Sequence, residues 1–180
     1  MTDLDKLRYP VGRFERLTTR LDPAARARDI DTIEQAPGRF RALATGRSDR
    51  DLDTPYRPGG WTVRQVLHHV PDSHLNAYVR MKLAVTEETP AVKTYDETRW
   101  AELHEAKTAP ADVSLALLES LHRRWVLFMR GLSDADFQRA VLHPEWGRIE
   151  VNELLALYAW HCRHHEAHVR LGLGAAGPTA

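Results

Sequence analysis

Four windows of apolar residues at three- and four-residue spacing, each bounded by helix caps or breakers, dominate this chain. Strand-like alternation is scarce. An amphipathic helix must bury its stripe against others of its kind, so the pattern predicts an all-α four-helix bundle. The first window opens at Asp22-Pro23, a cap with proline at the first helical position, and carries Ile30, Ile33, Phe40 and Leu43 to about Thr45. Pro37 is expected to bend it. The second opens at Thr62, which forms a capping box with Gln65 while Trp61 staples onto Val66; Val63, Val66, Leu67, Val70, Ala77 and Met81 then face the core. The third runs from about Asp112 to Arg130, with Leu115, Leu118, Leu121, Trp125 and Phe128 apolar and Gly131 as its stop. The fourth, from about Asn152 to Leu171, carries Leu154, Leu155, Leu157 and Tyr158.

Roughly twenty-five residues separate the second and third windows, long for a bundle loop. Thr94 and Glu97 make a second capping box, which predicts a short extra helix through Trp100 and Leu103. Such a crossover lets the second and third helices run parallel. Residues 140–151 alternate about a Pro/Gly turn and predict a small β-hairpin. Residues 1–21, with Tyr9-Pro10 and Gly12, read as an extended N-terminal arm packed along the bundle or against another subunit, and residues 173–180 as a flexible tail. The 180 residues then form one domain, 1–180, able to bury a core without disulfides. Cys162 is the sole cysteine and is expected to be a buried, inert thiol.

Twenty-five basic residues balance twenty-five acidic ones, so no global field draws nucleic acid or an anionic membrane surface. A small-molecule substrate is the expected partner. With neither a basic-then-apolar leader nor an apolar run long enough to span a bilayer, a cytoplasmic location is expected.

Chemistry concentrates in the histidines. His161 and His165 lie four apart, one imidazole above the other on a single helix face. Three, four and seven residues before His161 stand Tyr158, Leu157 and Leu154, so these histidines prolong the core-facing stripe rather than a solvated one. On the second helix His69, Ser73, Asn76 and Arg80 fall at offsets of zero, four, seven and eleven, a polar stripe suited to lining a wet pocket. His68 points about a hundred degrees away from His69. One nitrogen each from His69, His161 and His165 makes three ligands for a transition metal and leaves a fourth position to water or substrate, the arrangement of a catalytic site.

Other readings of the same residues stand beside this one. His168 shares the broad face of His165 and is an alternative ligand or supporting group; His68 and His164 are further alternatives. All of these spacings also suit histidines satisfied by neighbours, the reading given to His104 and His143. His122, on the third helix, reaches toward the same cavity and is a substrate-binding candidate. Arg80 is a second such candidate, its guanidinium suited to an anionic substrate, with a solvated helix end as the other reading. Pro71 removes the backbone bond to Leu67 and is expected to kink or interrupt the helix beside His69, at a cost on the order of 3 kcal/mol in an ordinary helix. Trp100, Trp146 and Trp160 read as packing groups. In His161-Cys162-Arg163-His164-His165 the glutamate of the zincin motif is missing and Glu166 points elsewhere, so no catalytic base is assigned. A non-catalytic metal-binding bundle and a purely structural dimer are the readings of another class.

The run Leu52-Asp53-Thr54-Pro55-Tyr56-Arg57-Pro58-Gly59-Gly60-Trp61-Thr62-Val63-Arg64-Gln65-Val66-Leu67-His68-His69-Val70-Pro71-Asp72-Ser73-His74 resembles the DinB-like four-helix-bundle proteins of the YfiT type. Further matches are Thr86-Glu87-Glu88-Thr89-Pro90, Tyr95-Asp96-Glu97, Leu121-His122 with Trp125, and Tyr158-Ala159-Trp160-His161 through His165-Glu166-Ala167-His168. The resemblance implies a bundle with crossed connections, commonly homodimeric, holding a divalent metal, zinc or nickel, through three histidines. By position these are His69, His161 and His165. It further implies a metal-dependent hydrolase, with low-molecular-weight thiol S-transfer of the bacillithiol or mycothiol type as the alternative and such a thiol as cosubstrate. A helix-friendly residue is expected in typical members where this chain has Pro71.

Overall fold

In the computed structural model, which describes residues 2–174, the elements run α1 (Asp3–Arg8), α2 (Pro23–Ala44), α3 (Asp49–Leu52), α4 (Val63–Thr86), α5 (Glu97–Ala101), α6 (His104–Thr108), α7 (Ala111–Arg130), α8 (Asp134–Phe137), β1 (Ala140–His143), β2 (Gly147–Glu150) and α9 (Val151–Gly172). The four long helices α2, α4, α7 and α9 are the bundle. Both α2 and α4 pack against α7 and α9, so the pairs α2/α4 and α7/α9 sit on diagonals.

Side-chain contacts fix the directions. Along α4, Arg64 bonds the Ala109 carbonyl, His68 bonds Ser114, His74 bonds His122, and Lys82 lies over the Phe128 ring, so α4 and α7 run parallel as the long crossover predicts. Contacts with α9 descend instead: Val63 meets Gly172, His69 meets His165 and His74 meets His161. These two helices are antiparallel. Arg41 with Glu119 and Glu34 with Arg130 make α2 antiparallel to α7.

Local rules explain most of the boundaries. Asp22 accepts from the Ala25 amide at the start of α2, and Thr62 and Gln65 form the reciprocal box at the start of α4. Trp125, Phe40, Ile33, Leu118, Met81 and Leu154 fill the core, with the Trp125 indole N–H donating to the Met81 sulfur at 3.1 Å. The hairpin forms where the alternation places it, pairing Ala140 with Glu150 and Val141 with Ile149, and Gly147 takes the positive φ of its turn.

Several expectations are corrected. The arm is not extended throughout, because Thr2 and Asp5 form a capping box that starts α1. Asp96 rather than Thr94 caps α5, accepting from the Arg99 amide, since a carboxylate next to the first helical residue competes directly for that donor. Gly131 ends α7 with φ −88°, so no left-handed stop is used. Neither Pro37 nor Pro71 interrupts its helix; both are buried within continuous helices. α9 extends to Gly172; of the tail, residues 175–180 lie outside the described residues. Among the described residues no helix is long and apolar enough to cross a membrane.

Candidate metal centre

The antiparallel register of α4 and α9 brings His69 opposite His165 and His161. One ring nitrogen from each of the three lies within 4.8 Å of the others. Ring centroids stand 4.8 Å apart for His69 and His165, 5.4 Å for His69 and His161, and 4.3 Å for His161 and His165. Among the described residues no carboxylate or thiol joins this group. Burial pushes His69 down to about 4, with the nearby His168 adding to the shift, and holds His161 and His165 well below the usual histidine value. All three are therefore neutral near pH 7, the form in which imidazole donates a lone pair to an ion. Three neutral nitrogen donors converging from two rigid helices fit a borderline-soft divalent metal.

Further imidazoles stand behind two of the three. The Nδ1 of His161 lies 2.9 Å from Nε2 of His74, and Nδ1 of His74 lies 2.6 Å from Nε2 of His122. His122 Nδ1–H donates to the Ile33 carbonyl at 2.6 Å. On the other side Nδ1 of His165 is 3.4 Å from Nδ1 of His168, whose Nε2–H donates to the Arg8 carbonyl at 3.2 Å. Tyr56 stacks on His168 with centroids 3.9 Å apart.

The histidines face one wall of a cavity of about 560 Å³. Trp61, at the entry to α4, leans over His69 at 4.8 Å, and Trp160 stacks on His164 at 4.4 Å while its indole N–H donates to the Gly12 carbonyl. Trp146 and Trp160 thus line the site, although their spacing reads as packing; Trp100 lies outside it against Tyr95. Ser73 places its hydroxyl 3.4 Å from Nε2 of His161. Arg80 also lines the cavity. The residue is buried, and its guanidinium donates to the Lys93 carbonyl at 2.9 Å and has no carboxylate partner among the described residues. The stripe predicted on α4 therefore holds for His69, Ser73 and Arg80, while Asn76 turns back to the Asp72 carbonyl.

Not every candidate reaches the cavity. His122 does not line it: α7 packs on the face of α4 that carries His74, which places His122 behind the site, fully buried. His68 turns away to Ser114 and the Ala109 carbonyl, as the hundred-degree offset requires. His164 lines the cavity and its buried Nδ1 has no partner. His104 is exposed, and His143 sits near the mouth accepting from the Glu145 amide. Cys162 points into the core, where burial pushes its thiol up to about 12. A second hollow of similar volume, between Leu17–Arg20 and β2, contains no histidine, and its Arg20 and Glu150 pair with each other.

Comparisons with known proteins follow the same lines. The DinB superfamily model matches residues 32–169. A Bacillus licheniformis protein bearing the provisional name metal-dependent hydrolase is 46% identical over 168 residues, 93% of this chain and 95% of that protein. YfiT of Bacillus subtilis, provisionally named in the same way, is 44% identical over 164 residues, 91% of this chain and 92% of its own. The solved structure of YfiT, described as a four-helix bundle of unusual topology, superposes with a TM-score of 0.90 at 42% identity, covering 95% of this chain and 99% of that one. A mycothiol-dependent maleylpyruvate isomerase shares the fold at a TM-score of 0.65 and 18% identity, over 84% of this chain and 62% of that one.

Proposed function

The chain belongs to the DinB superfamily, and on that premise we propose that it is a metal-dependent hydrolase acting on a small electrophile that carries a carboxylate. The observation that carries this reading is the convergence of His69, His161 and His165 on the wall of a cavity large enough for a small molecule. When bound, a divalent ion supplies Lewis acidity there, enough to bring the acidity of water or a thiol toward neutral pH.

Every other part is played by the chain. Neutral imidazoles on two packed helices hold the donor set in place without first having to lose protons. Trp61, Tyr56 and Trp160 wall the centre and limit water around it, which strengthens electrostatic interactions inside. Arg80 offers a planar pair of N–H donors to a substrate carboxylate. Ser73 presents a hydroxyl beside His161 that can orient a reacting group.

Transfer of a low-molecular-weight thiol is the second reading, favoured by the fold shared with a mycothiol-dependent isomerase. Cys162 is buried away from the cavity, so any thiol nucleophile has to come from outside the chain. Elemental analysis of untagged protein and of the single alanine variants at His69, His161 and His165 tests the centre. Metal in the wild type and its loss in all three variants is the expected result. Incubating the loaded protein with a carboxylate ester or thioester, with and without a thiol, then separates the reactions. Thiol-independent cleavage supports hydrolysis; a thiol adduct moves the assignment to transfer, and neither product leaves a metal-binding bundle without catalysis.

A further inference from the structure

Pro37 removes one amide from the middle of α2. In an unbroken helix the amide four residues on bonds each carbonyl, so the Ile33 carbonyl loses its helical donor, and the buried His122 Nδ1–H takes that place at 2.6 Å. A carbonyl only accepts. His122 must therefore carry its proton on Nδ1, which leaves Nε2 of the neutral ring bare to accept from Nδ1–H of His74. The same logic passes once more. Nε2 of His74 is left bare, accepts from Nδ1–H of His161, and leaves Nε2 of His161 as the bare lone pair, the nitrogen not engaged with His74 and so the one available to an ion held with His69 and His165.

We propose that His122 and His74 are positioning residues that lock His161 in the Nδ1–H tautomer, so that its metal-binding nitrogen is prepared before any ion arrives, with Pro37 freeing the carbonyl that anchors the lock. This rests on the three-histidine reading of the centre. Supporting partners of ligand histidines are ordinarily a carboxylate or a carbonyl in direct contact. Here two rings carry the orientation from a carbonyl on α2, through α7 and α4, to a ligand on α9, so three of the four interhelical seams contribute to it. No charge is buried along the way, because burial keeps His74 and His122 neutral. His165 is held in a parallel manner, since the Arg8 carbonyl accepts from His168 Nε2–H and bare Nδ1 of His168 faces Nδ1–H of His165. The anchor of that branch is the end of α1, which ties the N-terminal arm to the centre.

The experiment has two arms. Long-range nitrogen–proton NMR on histidine-labelled, metal-free wild-type protein reads the tautomers directly, and Nδ1–H is expected for His122, His74 and His161. An Nε2–H signal for His161 overturns the proposal, and this arm does not depend on whether the purified protein contains metal. Zinc affinity, measured by competition with a chromophoric chelator, is then compared for wild type, His122→Phe and His122→Gln. His122→Phe is expected to weaken zinc by roughly 10–100-fold. His122→Gln, whose amide can offer N–H to the Ile33 carbonyl and oxygen to His74, is expected to recover most of it. Equal affinity in the wild type and His122→Phe overturns the proposal, as does a glutamine variant no better than phenylalanine. Should His122→Phe fail to fold, the tautomer arm decides alone.

Discussion

Gly172, the last residue of α9, lies directly against Val63, the first residue of α4: a Cβ at position 172 would stand 2.4 Å from Cγ2 of Val63 and 3.3 Å from the Thr54 carbonyl. This contact sets the register in which His165 meets His69 and His161 meets His74. Val63 is β-branched and buried, so its side chain has little room to turn aside. Gly172→Ala is therefore expected to destabilise the protein by about 1–3 kcal/mol through overpacking. Urea denaturation of the metal-free protein checks it, and an unchanged midpoint would show that the two helix ends slide apart without cost.

Stability should fall steeply on acidification. His69 and His122 are held at about 4, and His161, His165 and His74 well below their ordinary value, all chiefly through burial. Because these folded values lie below the unfolded 6.5, the unfolded chain takes up protons first. The stabilisation is complete above about pH 6.5 and is lost as the pH drops toward 4, at about 1.4 kcal/mol per pH unit for each buried site. Asp72, raised to about 6 by partial burial, acts in the opposite sense and offsets only part of the loss. Thermal melts from pH 7 to pH 4.5 with chelator present, so that bound metal adds no linkage of its own, are expected to show a continuous decline. A flat profile would mean that these rings are solvated.

The bundle was legible because its signals are local. Thr62 with Gln65, Asp22 with Pro23 and the spacing of Leu154, Tyr158, His161 and His165 each specify a helix or a face within a few residues. The three converging histidines were legible for the same reason, as a polar continuation of buried stripes. His74 was not: five residues past His69 it points about 140° away, among the apolar positions of α4, where a histidine reads as a core accident. For His122, helical spacing gives a face but not the neighbour that covers it, and α4 rather than the cavity lies over that face. The available signal was Pro37, an interior helix proline that leaves a buried carbonyl to be satisfied from elsewhere. In the arm, the capping-box spacing of Thr2 and Asp5 is outweighed in the sequence by Tyr9-Pro10 and Gly12, which dominate that stretch.

Cys162 is expected to be silent toward thiol reagents in the folded protein. Its side chain is fully buried and its thiol is pushed up to about 12, so almost no thiolate exists at neutral pH. Modification by iodoacetamide should follow global unfolding, with a rate that rises with urea in step with the unfolded fraction. Rapid labelling of the native protein would place Cys162 at an opening that reaches solvent and overturn its reading as an inert thiol.

Arg80 provides the sharpest test of substrate class. Arg80 is a buried residue on the cavity wall with one donor committed to the Lys93 carbonyl and no carboxylate partner among the described residues, so its charge is open to an anion that enters the cavity. Its Cα lies about 16 Å along α4 from that of His69. Arg80 and the three histidines line the same cavity, so an acid bound there can meet the guanidinium. Calorimetry with glutarate and with its uncharged analogue glutaramide reads the anchor, in metal-free protein so that direct ligation of metal is excluded. Glutarate should bind and glutaramide should not. Arg80→Met is expected to weaken glutarate by at least about tenfold, the equivalent of 1.4 kcal/mol, and Arg80→Lys by less, because it keeps the charge and loses the planar fork. Metal content should stay at the wild-type level in both variants. Absence of saturable glutarate binding at millimolar concentrations, or binding indifferent to Arg80, would remove the carboxylate from the substrate while leaving the three-histidine centre intact.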